Sequence, residues 1–94
     1  MAIVTRLGAP AQPQSLLYHR RAALLSQADL AAAANVGIDT VWAIETGRVT
    51  PHLGTIRRIA EAMGVDPLTV TEFVTAIAAE AWQTRRSRLR EVRG

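Results

Sequence analysis

Cysteine is absent from this sequence, and its absence excludes both disulfide bonds and thiolate metal sites. No apolar run approaches the ~20 residues that a membrane-spanning helix requires. The N-terminal stretch MAIVTRLGAPAQPQS is too short and too polar for a secretory signal. We therefore expect a soluble protein of the cytoplasm that has no membrane partner.

Lysine is also absent, so all 11 basic residues are arginines. The formal net charge of +3 is compatible with binding to nucleic acid but does not require it. The distribution of charge says more. The C-terminal stretch RRSRLREVR is basic, whereas residues 22–47 contain no cation.

Aromatic residues are scarce at 4%, while apolar residues make up 49% of the 94 positions. A chain of this length forms one small domain. Its abundant alanine and leucine favour an all-α core. Residues 1–14 contain two prolines, a glycine and no helical period, so we predict a flexible arm there, with Arg6 as its single arginine.

Local start signals predict the first two helices. Ser15 is a suitable cap for the first, and the leucines that follow it, Leu16, Leu17, Leu24 and Leu25, are expected to supply apolar contacts. Ser26 with Asp29 three residues later resembles a capping box and predicts a second helix, QADLAAAA.

Stop signals bound the next helices. Asn35 is expected to close the second helix, and Gly47 to end a third helix over 38–45. LGTIRRIAEAM predicts a fourth helix that Gly64 stops. Asp66 and Pro67 then look like the cap and first turn of a long fifth helix, from Leu68 to about Arg90.

The stretch SQADLAAAANVGIDTVWAIETG predicts two short helices joined by a tight turn, which is a helix-turn-helix pattern. Ala31 is small enough to let the two axes approach closely. In such a motif the second helix can lie in the major groove, with its N-terminal residues at the base edges.

This stretch resembles the Cro/repressor family of helix-turn-helix domains, also called the XRE type. The matching elements are SQADLA, Val36, TVWAIETG, Pro51 and TIRRIAEAMGVDP, within residues 15–70. The resemblance implies an all-α, five-helix lambda-repressor-like helix-turn-helix domain. Residues 71–94 would add an extended C-terminal helix with a basic tail.

The resemblance also implies roles for individual residues. Gln27 would contact the DNA backbone and brace the recognition helix. Ser26 would contact a phosphate and cap the second helix. Arg20 and Glu45 would form a partly buried structural ion pair, in which loss of one partner strands the other charge.

By the same resemblance, the base-reading positions are Gly37, Ile38, Asp39 and Ala43, with Trp42 beside the backbone. The family usually has polar residues there, so this chain departs from its pattern. Ile38 can touch a thymine methyl group, and Asp39 can accept from a cytosine amino group but also repels phosphates. Leu24 is a second departure, because the family often has glycine at that position, and we expect it to alter a turn.

Two of these residues fit more than one role. Trp42 could stack on a sugar or base edge, or could cover the core or a partner surface. Asp39 could read a base, or could only favour the helix dipole. Affinity for DNA would then come largely from helix N-termini and from Arg48, His52 and Arg57 or Arg58, with DNA shape supplying much of the specificity.

No constellation of catalytic residues is present, so we predict neither an enzyme nor a cofactor. His19 and His52 lie far apart in the sequence and lack nearby carboxylate or cysteine spacing, which argues against a metal site. Glu45 is assigned to structure, and no nucleophile is paired with a base.

The segment VTEFVTAIAAEAW has too much apolar surface for an exposed lone helix. Either it folds back on the domain or it pairs with a second copy. We favour a homodimer through Val74, Ile77, Ala81 and Trp82. The arginines that follow could bind DNA, although a solvated tail is the simpler interpretation; they are Arg85, Arg86, Arg88, Arg90 and Arg93.

These observations predict a regulator of transcription, expected to repress by occluding a promoter at a pseudo-palindromic operator. It would lack an effector domain and associate with the nucleoid when bound. The rival hypothesis is a protein-interaction module or antitoxin-like subunit that keeps the fold with weak base readout and holds a protein partner.

Overall fold

The computed structural model describes the backbone of residues 12–93 and the side chains of residues 12–86. This part of the chain is all-α, as the sequence predicted. Five helices and one 3-10 turn follow in order: α1 (Leu16–Ala22), α2 (Gln27–Ala34), α3 (Ile38–Glu45), α4 (Leu53–Met63), the 3-10 turn (Pro67–Thr69) and α5 (Thr71–Arg93).

Serine side chains begin the first two helices, as expected. The Ser15 hydroxyl oxygen accepts a hydrogen bond from the N–H of Tyr18 at 3.1 Å. The Ser26 hydroxyl accepts from the N–H of Asp29 at 3.0 Å, while the Asp29 carboxylate accepts from the N–H of Ser26 at 3.1 Å. This reciprocal capping box holds the pKa of Asp29 below its usual value, the backbone hydrogen bond being the larger cause.

Left-handed residues close the first four helices. In each case the next backbone N–H returns to a carbonyl five residues earlier, which satisfies a terminal carbonyl and turns the chain sharply. The left-handed residues are Leu24, Asn35, Gly47 and Gly64. Leu24 is 90% exposed, so the expectation that it supplies an apolar contact is wrong.

A continuous core joins all five helices. α2 contributes the small residues Ala31 and Ala34, which allow α3 and α4 to pack closely against it. The largest fully buried side chains are Leu16, Leu30, Val41, Ile44, Ile59, Val70 and Phe73. The helix-turn-helix formed by α2 and α3 therefore packs against α1 through α3 and against α4 through α2.

The fifth helix begins at Thr71, not at Leu68 as predicted. Asp66 caps the separate 3-10 turn by accepting from the N–H of Leu68 at 2.9 Å. Val70 is then extended and forms a parallel bridge with Gln14. Gln14 donates to the Thr69 carbonyl at 3.0 Å and accepts from the N–H of Thr71 at 2.9 Å.

The bridge also corrects the predicted boundary of the N-terminal arm, because Gln14 is tied to the domain. Residues 1–11, including Arg6, lie outside the described residues, so the expectation of a flexible arm stays a prediction for them. The same is true of the side chains of Arg88, Arg90 and Arg93.

α5 has two parts with different surroundings. Phe73 and Ala76 are buried, Val74 is half-buried and Ile77 packs against the core, so the first part folds back on the domain. Ile77 is therefore half-buried within the protomer, and its place in a dimer interface stays a prediction. From Ala78 to Arg86 every residue is exposed. None of the described helices combines the length and apolar character needed to cross a bilayer.

Candidate nucleic-acid interface

α3 presents its N-terminal half to solvent. Val41 and Ile44 are buried on its inner side, while Ile38, Asp39 and Trp42 are exposed on the other. Ala43 is half-buried, and Gly37 is the exposed N-cap residue. Positions three and four apart share a helix face. The predicted base-reading positions therefore lie together on one surface.

A hydrogen-bonded network centred on Glu45 fixes α3 in the domain. Arg20 Nε lies 2.6 Å from Glu45 Oε2, and Arg20 Nη2 donates to Glu45 Oε1 at 3.2 Å. Arg20 Nη1 also donates to the Leu25 carbonyl at 2.9 Å. The two side chains are only 11% and 5% exposed, so the pair belongs to the interior.

Gln27, the first residue of α2, joins this network. Its amide Nε2 donates to Glu45 Oε1 at 2.9 Å. The start of α2 is thereby held against the end of α3, which is the bracing contact that the family resemblance implied for Gln27. Its neighbour Ser26 is exposed and caps α2.

The end of α3 brings a cation back over the helix. Gly47 has a φ of 73°, its N–H donates to the Ile44 carbonyl, and the N–H of Arg48 donates to the Ala43 carbonyl at 2.8 Å. Together these form a Schellman closure. It returns Arg48 to the helix surface, where its guanidinium carbon lies 4.9 Å from the centre of the Trp42 ring.

The N-termini of α3 and α4 differ from those of α1 and α2. Neither Gly37 nor His52 caps its helix through a side chain, so first-turn N–H groups point outward without a side-chain acceptor. Such N–H groups suit an anion. Arg57 is exposed on α4, whereas Arg58 lies 3.4 Å from the Asn35 carbonyl at the end of α2. Of these two arginines, Arg57 is the better placed for an external partner.

Residues 15–70 carry no net formal charge, because they contain five arginines and five carboxylates. One arginine–carboxylate pair, Arg20 with Glu45, is internal. The attraction of this segment for an anion therefore depends on where its remaining cations lie. The arginines are Arg20, Arg21, Arg48, Arg57 and Arg58, and the carboxylates are Asp29, Asp39, Glu45, Glu61 and Asp66.

Sequence reasoning missed the contacts that tie α1 to the start of α5. His19 is buried, and its Nε2 donates to the Thr69 carbonyl at 2.6 Å. Glu72 accepts from the N–H of Leu16 at 2.8 Å. No periodicity or spacing predicts either contact, because the partners are 50 and 56 positions apart. Among the described residues, no three His, Asp or Glu side chains gather as metal ligands.

A family model described as a helix-turn-helix domain matches residues 17–73, which is more than half of the chain. The chain therefore belongs to the helix-turn-helix domain family, and its type is the XRE/Cro-like one that the sequence resembles. Membership in this family makes it a DNA-binding protein by class. No curated protein and no solved structure matches the chain.

Proposed function

We propose that this protein is a sequence-specific regulator of transcription that inserts α3 into the major groove of double-stranded DNA. The observation that carries the proposal is the Arg20–Glu45–Gln27 network. It makes α1, α2 and the end of α3 one rigid unit while Ile38, Asp39 and Trp42 face solvent. A rigid scaffold with an exposed helix is what major-groove docking requires.

Direct readout would come from few side chains. Ile38 offers an apolar contact to a thymine methyl group, and Asp39 offers an acceptor to a cytosine amino group. Gly37 and Ala43 are too small to reach base edges with polar groups, but they permit close approach. Much of the specificity would then come from the shape and deformability of the DNA.

Phosphate contacts would come from the rim of the same surface. Arg48 and Arg57 supply cations, and the uncapped N-termini of α3 and α4, the latter beside His52, supply N–H donors. Ser26 and Gln27 lie at the start of α2, where the family places backbone contacts. These contacts position the protein and carry little sequence information.

A homodimer would give the regulator its operator symmetry. Ala81 and Trp82 lie on the exposed part of α5, where Trp82 is 58% exposed. Val74 and Ile77 would border that surface from the domain side. A two-fold dimer presents two recognition helices to half-sites about one helical turn apart, which implies a pseudo-palindrome. The dimer would repress by occluding a promoter, and the protein would be cytoplasmic.

Selection from a random duplex library near physiological salt tests the proposal. Enrichment of a two-fold motif, with affinity that falls as salt rises, is the expected result. Binding that is equally weak for every duplex would contradict sequence-specific recognition.

A variant links that binding to the proposed surface. Gln27→Ala should weaken binding to the selected duplex about tenfold, because it removes one contact to a charged group and one brace. Gln83→Ala, on the exposed part of α5, is the matched control and should bind like the parent. Unchanged affinity in a folded Gln27→Ala variant would show that Gln27 does not contact the DNA.

A second candidate function is a protein-interaction module, such as an antitoxin-like subunit. The observation that favours it is the pair of large apolar side chains, Ile38 and Trp42, exposed on a helix without a cation. Apolar protein interfaces bind with little dependence on salt, whereas phosphate contacts weaken steeply. A flat salt response with a protein partner would favour this second function.

A further inference from the structure

The cation–π pair formed by Trp42 and Arg48 joins the recognition helix to the loop that follows it. The Arg48 guanidinium carbon lies 4.9 Å from the centre of the Trp42 ring, which is within the range of a cation–π contact. The Schellman closure at Gly47 brings the chain back to this position. The contact is therefore built into the end of α3.

The pair places a cation where α3 itself has none. Residues 22–47 contain no arginine, and α3 contains Asp39 and Glu45. The carbonyl end of a helix also has a partial negative charge. A phosphate that approached this end of α3 would be repelled unless a cation stood beside it, and Arg48 is the first cation after Arg21.

The contact with Trp42 leaves the N–H donors of Arg48 available. A guanidinium group has five N–H donors in its plane, and a cation–π contact does not use them to bond an oxygen. Among the described residues, no side-chain N–H of Arg48 makes a hydrogen bond, in contrast to Arg20 and Arg58. A planar fork held in this way matches two oxygens of a phosphate.

We infer that Trp42 is a positioning residue, and that the Arg48 guanidinium it holds contacts a phosphate of the DNA backbone. This inference rests on the proposed DNA-binding function. A phosphate is assigned, not a base, because Arg48 follows the C-terminal end of α3, while base contacts come from the N-terminal part of such helices. Holding the side chain in advance lowers the entropy lost on binding.

The cation–π pair is tested first without DNA. Trp82→Phe leaves Trp42 as the single tryptophan, so fluorescence quenching by acrylamide reports on the Trp42 ring alone. In this background, Arg48→Met should increase the quenching constant because the ring loses its cover. Arg57→Met is the matched control and should not change it. An equal constant in the Arg48→Met and Arg57→Met variants would overturn the cation–π pair.

Binding to a labelled mixed-sequence duplex and to the selected duplex tests the phosphate contact. Arg48→Met should lower affinity for both. It should reduce the slope of log affinity against log salt by about 0.9 for each bound protomer, which is about 1.8 for the proposed dimer. An unchanged slope would overturn the contact. A change of preference at one base position would overturn the assignment to phosphate.

Trp42→Leu separates positioning from direct contact. It should lower affinity about two- to fivefold and leave the salt slope unchanged, because Arg48 is still present but no longer held. The Trp42→Leu/Arg48→Met double variant should bind no more weakly than Arg48→Met alone. Additive losses would mean that Trp42 contacts DNA itself. Trp42→Phe keeps a ring and should bind almost like the parent.

Two kinds of failure remain distinguishable. If the parent binds no duplex, the proposed DNA-binding function fails and the phosphate contact fails with it. If the parent binds and Arg48→Met binds equally well with the same slope, the proposed function stands and only this inference is overturned.

Discussion

Leu24 is the residue whose backbone conformation fits its type least well. It has a φ of 61°, and its side chain is 90% exposed. A left-handed conformation costs an L-residue with a Cβ about 1–2 kcal/mol, and burial of the side chain does not offset the cost here. The same role at the other helix ends is filled by asparagine or glycine.

Leu24→Gly should therefore raise the free energy of unfolding by about 0.5–1 kcal/mol, after allowance for the larger unfolded-state entropy of glycine. Urea unfolding measures the change. Ala23→Gly is the matched control, because Ala23 has a φ of −84° and glycine gains nothing there. Destabilisation by both substitutions would contradict the strain at Leu24.

The Arg20–Glu45 ion pair is largely buried, so the loss of either residue would leave the charge of the other unpaired. Arg20→Met should lower the free energy of unfolding by about 3–5 kcal/mol, because Glu45 would remain charged in the interior. Arg20→Met/Glu45→Met should recover most of the loss in the same denaturation experiment. Equal losses in the single and double variants would show that the stranded charge is not the cause.

At the scale of the element, α2 depends on its capping box. Ser26→Ala should lower the free energy of unfolding at pH 7 by about 1 kcal/mol. The folded state lowers the pKa of Asp29, so the stability linked to its charge is present above the unfolded value of 3.8. That stability is lost as pH falls through the lower folded value.

The difference between parent and Ser26→Ala should consequently shrink on acidification, since the variant lacks the hydroxyl that favours the Asp29 carboxylate. Urea denaturation of both proteins at several pH values measures this difference in the free energy of unfolding. A difference that stays constant well below pH 3.8 would contradict the smaller contribution assigned to the Ser26 hydroxyl, since the variant keeps the backbone N–H that is the larger cause.

α5 is one element with two environments, and this division determines how a dimer should be tested. Ala81→Glu/Trp82→Glu places charge on the exposed part alone and should yield monomers in sedimentation experiments. Ala79→Glu/Gln83→Glu is the matched control for added charge on the same helix, because these exposed positions lie on the side of α5 away from Ile77 and Ala81. Ile77 is left intact, because a charge there would disturb the core. If the Ala81→Glu/Trp82→Glu variant is still a dimer, the dimer interface does not include the exposed part of α5.

At the scale of the whole molecule, charge balance limits the response to salt. Arg48 and Arg57 are the two cations per protomer assigned to phosphate, so a dimer should release about four counterions. The expected slope of log affinity against log salt is about −4. A slope near −10 would mean that arginines of the N-terminal residues or the C-terminal tail also contact DNA.

The sequence was sufficient wherever one residue and its near neighbours decide the structure. Ser15 and Ser26 start helices through hydrogen bonds three residues away, and Asn35 and Gly64 end them by a local backbone conformation. The motif from Ser26 to Gly47 likewise predicted the helix-turn-helix that the family match shows. These features depend on residues close together in the chain, so the sequence alone is enough to predict them.

Tertiary structure alone decided the features that need partners far apart in the chain. α5 starts at Thr71, not at Leu68, because Val70 is extended and pairs with Gln14. Ile77 is half-buried because it packs against the core. The Arg48 side chain came to lie over Trp42 only once the closure at Gly47 had set its direction. Composition and periodicity do not specify such pairings, since they depend on how the helices meet in space.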